Sequence, residues 1–114
     1  MKILAAVTRP GTPAFTLEQL ELDEPRDDEV LVQIVAAGIC HTDLVAAAGV
    51  LPIQPPAVLG HEGAGVVVST GARVSGLQPG DHVAVSFHSC GECPRCRRDD
   101  PSYCHSFGLL NFTG

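Results

Sequence analysis

The sequence predicts a mainly β domain, a barrel or sandwich, with one short helix and a cysteine-rich loop lobe. Three observations carry this. Apolar runs of five to eight residues recur between Gly and Pro turn signals. Only one segment, 40–48, has helical character. Four cysteines, Cys90, Cys93, Cys96 and Cys104, crowd into one loop at the spacing C-x2-C-x2-C-x7-C.

The elements follow in order. Residues 2–7 (Lys-Ile-Leu-Ala-Ala-Val) read as a strand, and Pro10, Gly11 and Pro13 punctuate a turn. Phe15–Leu22 alternates in part and reads as a second strand; Pro25, Asp27 and Asp28 mark the next turn. Val30–Ala36 is a strand with Val30, Val32 and Ile34 on one face and Leu31 and Val35 on the other. Both faces are expected to be covered, apart from Gln33. Cys40–Ala48 is the helix, starting near His41 or Thr42, with Gly49 as its stop. Pro52, Pro55 and Pro56 force an extended loop. Gly65–Ser69 is a β-branched strand, Pro79-Gly80-Asp81 a turn, and His82–Phe87 a last strand. The lobe then spans 87–105. Phe107–Phe112 is apolar and expected to pack on a core.

The chain has 114 residues, the size of one small domain. Its net charge of −6 argues against nucleic acid or an anionic membrane as partner. The acidic run from Glu18 to Glu29 reads as a solvated edge. No apolar run approaches the roughly 20 residues of a membrane span. The apolar start is too short for a signal peptide, since Arg9-Pro10-Gly11 follows it closely. The expected location is the cytoplasm, where thiols stay reduced and clustered cysteines favour metal over disulfides.

Four thiolates at about 2.3 Å complete a tetrahedral zinc shell, and paired x2 spacings let the backbone turn around one centre. Arg95, Arg97 and Arg98 would offset the negative charge of such a shell. Two disulfides are the competing reading. A fifth cysteine lies in Cys40-His41-Thr42-Asp43, and Gly60-His61-Glu62-Gly63-Ala64-Gly65 follows twenty residues on. Cys40 and His61 are zinc-ligand types, Glu62 adds a carboxylate, and Asp43 is placed to orient the imidazole of His61. Taken singly, a cysteine before a small helix and a His in a Gly-rich turn are more often structural. The glycines run G-x-x-G-x-G before a strand, which is not a dinucleotide fingerprint.

Taken together and in this order, these motifs resemble the N-terminal part of the zinc-dependent medium-chain alcohol dehydrogenases. The segment Pro101-Ser102-Tyr103-Cys104 with Leu110-Asn111-Phe112 is most similar to the aryl-alcohol (benzyl alcohol) branch. The resemblance implies a GroES-like β-barrel with a zinc-binding lobe over residues 1–114. It implies that Cys40 and His61 are ligands of a catalytic zinc, with Glu62 beside it and able to replace a ligand. Thr42 would pass on the substrate proton. His41 would contact the cofactor pyrophosphate and end the relay. Asp43 would support His61. Cys90, Cys93, Cys96 and Cys104 would hold a structural Zn2+. The implied reaction oxidises an alcohol to an aldehyde, with hydride passed to NAD(P). Phe87 and Leu110 are expected to line the substrate pocket.

The family pattern also needs a dinucleotide-binding Rossmann unit and a third protein ligand for the catalytic zinc. These 114 residues contain no G-x-G-x-x-G, and all five cysteines already have implied roles. The expectation is therefore an N-terminal fragment of a catalytic domain. It would hold catalytic zinc weakly, lack activity alone, and self-associate through exposed apolar surface, with Leu109, Leu110 and Phe112 as candidates. A free-standing zinc-loop module that binds a protein partner is the alternative from a different functional class.

Overall fold

The computed structural model describes residues 1–12 and 14–112; Pro13 of the first turn lies outside the described residues. Two antiparallel three-stranded sheets form the frame. In the first, β1 (Lys2–Thr8) pairs with β2 (Phe15–Glu21) on one side and the two-residue β4 (Ala57–Val58) on the other. In the second, β5 (Gly63–Thr70) lies between β3 (Val30–Ala37) and β6 (His82–Ala84). Among the described residues no strand pairing joins the two sheets, so the GroES-like fold is mainly β without a hydrogen-bonded closed barrel.

Helix α1 (His41–Ala47) follows β3 directly. Cys40 is its N-cap, in extended conformation, and His41 is its first residue. Asp43 Oδ2 accepts from the Cys40 backbone N–H at 2.9 Å, satisfying a donor at the helix start. Gly49, at φ +77, ends the helix in the left-handed region and donates to Ala46 O at 2.9 Å.

Three expectations need correction. There is a second α-helix, α2 (Phe107–Phe112), and the lobe holds two short 3-10 turns, Cys96–Arg98 and Pro101–Tyr103. The last strand is only His82–Ala84, paired with Val66–Ala64 of β5, and just beyond it Val85 N–H still donates to Gly63 O at 2.7 Å. Finally, β3 is not covered on both faces: Val35 is 71% and Ile34 50% exposed. These residues supply no layer over that part of the strand.

The fully packed interior is small. Ala5, Val7 and Thr8 of β1, Asp43 and Ala46 of α1, Val67 of β5 and Cys104 of the lobe are buried. The accessible surface is 8245 Å². A folded monomer of this mass exposes about 5,900 Å². The radius of gyration, 15.2 Å, also exceeds the roughly 13 Å of a closed domain of this length.

Candidate metal centres and the adjoining cleft

The register of the second sheet builds the first site. Ala37, the last residue of β3, pairs with Gly63, the first of β5. One further rung follows, with Gly38 N–H donating to Glu62 O at 2.7 Å. The chain then leaves both strands at the same end of the sheet. Cys40, two residues on from Gly38, therefore meets His61 and Glu62. One donor atom from each of these three lies within 4.8 Å of the others. Cys40 is half-buried; His61 and Glu62 are exposed.

The neighbours of this trio are specific. The Cys40 thiol donates to Thr42 Oγ1 at 3.4 Å. Asp43 is buried, and its Oδ1 stands 3.9 Å from His61 Nδ1. That is beyond a direct hydrogen bond, so Asp43 faces His61 electrostatically while its other oxygen caps α1. His41 is exposed at the first position of α1. Gly38 was not singled out from the sequence. A Cβ there would stand 2.2 Å from Glu62 Oε2 and 3.1 Å from Glu62 Cβ. The carboxylate thus occupies the space that a side chain at residue 38 would take.

The second site is the lobe. One sulfur each from Cys90, Cys93, Cys96 and Cys104 lies within 4.8 Å of all the others. Cys90 and Cys96 are 3.9 Å apart, Cys93 and Cys96 3.6 Å. Tetrahedral ligands at 2.3 Å from zinc stand about 3.8 Å apart. All five cysteines are free thiols. The sulfur spacing therefore fits the tetrahedral shell of a zinc ion. Backbone donors already face the sulfurs: Cys90 N–H points to Cys104 Sγ and Cys93 N–H to Cys90 Sγ, both at 3.4 Å. The backbone N–H of Cys96, helped by that of His105, brings the Cys93 thiol down to about 6. Burial pushes Cys96 up to about 11. The N–H of Cys90 lowers Cys104. A cation held by the four sulfurs would neutralise what burial alone makes costly.

A cleft of about 560 Å³ adjoins the first site. Thr42 and His61 line it together with Phe87, Phe107, Leu110 and Phe112. Phe87 and Leu110 are thus in the cleft. The Phe107 ring sits 5.6 Å from that of Phe87 and 6.3 Å from that of Phe112, the latter edge to face. Of the apolar residues expected at the surface, Leu109 is 66% exposed, while Leu110 and Phe112 are half-buried against the cleft.

Comparison with known proteins agrees with this architecture. Residues 26–114 match the alcohol dehydrogenase GroES-like domain. The chain belongs to that family, the N-terminal part of the zinc-dependent medium-chain alcohol dehydrogenases. It is 46% identical over 110 residues to geraniol dehydrogenase of Castellaniella defragrans, covering 96% of this chain and 29% of that protein. Benzyl alcohol dehydrogenase of Acinetobacter calcoaceticus superimposes with a TM-score of 0.96 at 46% identity, over 100% of this chain and 32% of that one. A cobalt- and zinc-bound thermostable alcohol dehydrogenase of Pyrobaculum aerophilum matches with a TM-score of 0.86 at 30% identity, over 100% of this chain and 37% of that one. The chain thus spans about a third of the length of these relatives. No helix among the described residues is long and apolar enough to cross a membrane.

Proposed function

We propose that this chain is the metal-binding part of an NAD(P)-linked alcohol dehydrogenase that converts aryl or allylic alcohols to aldehydes. The carrying observation is the convergence of Cys40, His61 and Glu62 within 4.8 Å, with His61 and Thr42 opening into an aromatic-walled cleft. Benzyl alcohol and geraniol, named in two relatives, both carry a planar unsaturated carbon next to the CH2OH group, a shape such a wall suits.

Cys40, His61 and Glu62 would hold the catalytic zinc, with a further ligand from outside these residues. Zinc bound there would supply Lewis acidity to an alcohol hydroxyl, and a bound nicotinamide cofactor would supply the hydride acceptor. The chain's own residues handle position and protons. Thr42 Oγ1, beside Cys40 Sγ, would accept the hydroxyl proton as it passes its own onward. His41, exposed at the helix start, would carry the released proton to water and would be the residue to meet the cofactor's phosphates. Asp43 holds the helix start and the imidazole in place. The four-thiol lobe would hold a structural zinc. Alone, the 114 residues offer no dinucleotide fingerprint, and we expect no turnover from them.

Cobalt titration tests this reading. One tight thiolate-rich site should vanish in Cys104→Ser. A second, weaker site should vanish in Cys40→Ala and His61→Ala, and benzyl alcohol should shift its bands. Bands of the second site that ignore both substitutions, or that ignore benzyl alcohol, would overturn it.

A further inference from the structure

Helix α2 is too short to be stable alone, and Gly108 weakens it further. Yet it carries Phe107, Leu110 and Phe112 of the cleft. The question is what holds it. Asn111 does so from one side chain. Its Oδ1 accepts from His88 N–H at 2.8 Å, and its Nδ2 donates to His88 O at 2.9 Å. The same Nδ2 donates to Phe107 O at 2.8 Å. The amide thus pairs with His88 as a strand neighbour would, across twenty-three residues, and ties the helix's last turn to its first residue. His88 follows Phe87 directly and stands two residues before Cys90. At the other end of the helix, Phe107 N–H donates to Cys104 O at 3.1 Å.

We propose that Asn111 is a positioning residue that sets the preference for flat alcohols. It clamps the helix bearing Phe107 and Phe112 to the backbone beside Phe87. Asn111 itself lines the cleft, but backbone groups take three of the four hydrogen-bonding positions of its amide, so it acts chiefly by holding the wall. The helix can then slide neither along nor away from Phe87, and the gap between the rings keeps its width. The proposal rests on reading the cleft as the alcohol site.

The test uses fluorine NMR on the zinc-loaded protein, with 4-fluorobenzyl alcohol and 2-fluoroethanol as probes. Asn111→Leu should weaken the aromatic probe about tenfold, the size of one to two lost hydrogen bonds, and leave the small alcohol within about twofold. Cobalt bands of the four-thiol lobe should not change. If the leucine variant loses those bands, Asn111→Asp is read instead. It keeps the acceptor for His88 N–H and loses both donors, and it should weaken the aromatic probe selectively. Unchanged selectivity in a folded variant overturns the proposal alone. A wild-type protein that binds neither probe overturns the reading of the cleft, and this proposal with it.

Discussion

Glu62 Oε2 fills the place where a Cβ on residue 38 would stand, 2.2 Å from that ideal position. A side chain at residue 38 would therefore displace the Glu62 carboxylate from its present place. Gly38→Ala should push Glu62 aside and lower cobalt affinity at the Cys40–His61–Glu62 site by about 10- to 100-fold, as loss of ligand support does elsewhere. The four-thiol lobe should titrate as before. Equal affinity in the alanine variant would show that Glu62 seats independently of residue 38.

Asp43 serves two neighbours with two oxygens, so its variants should separate. Asp43→Ala loses the cap on Cys40 N–H and should cost about 1 kcal/mol. Asp43→Asn can still accept from that N–H and should recover most of the stability. It lacks the charge facing His61 and should still bind cobalt more weakly than wild type. Thermal melts read the first effect and cobalt titration the second. Parallel behaviour of both variants in both assays would contradict the division of labour.

The Arg9–Glu18 pair gives a pH signature. Hydrogen bonds from Arg9 and then Thr16 hold the Glu18 carboxyl down at about 2, below its ordinary 4.5. A lowered carboxylate contributes stability above its ordinary value and loses it as pH falls through 2. The pair is exposed, so the effect is small. The urea midpoint of wild type should exceed that of Glu18→Gln at pH 6, and the gap should close as pH approaches 2. A gap that widens on acidification would contradict the sign.

The protein exposes about 2,300 Å² more than a closed monomer of its mass. Val35, at 71% exposure, and Ile39, at 83%, belong to this surplus. It is larger than a standard protein–protein interface. Purified alone, the chain should self-associate at micromolar concentration. Light scattering that shows a monodisperse monomer throughout would count against this.

Much of this was legible in residue order. β1, β2, β3 and β5 announce themselves by alternation or by β-branched runs between turn residues, and α1 by its start near His41 or Thr42 and its Gly49 stop, while the cap that Asp43 makes on Cys40 N–H was not read from the sequence. The lobe is legible because its ligands are local. Two kinds of feature were not. α2 has a glycine and no periodicity beyond six residues; Asn111 stabilises it through a backbone partner far back in the chain, which local propensity does not encode. Gly38 could have been suspected, since it joins a strand to a capped helix, but its reason is the Glu62 side chain across the sheet. The open face of β3 was misjudged because alternating apolar residues state what a strand is ready to bury, not what is at hand to bury it.

Cys40 occupies the N-cap of α1, a position that serine fills better than most residues. Exchanging its sulfur for oxygen should therefore remove a soft metal ligand while leaving the helix start satisfied. Cys104, buried in the lobe, has no such second livelihood. Melting curves should show it: Cys40→Ser near wild type, Cys104→Ser well below. Chemistry and architecture are separately heritable at one site and fused at the other, so a lineage drifting away from catalysis could shed the first metal by a single neutral step, while the second stays under the selection that keeps the fold.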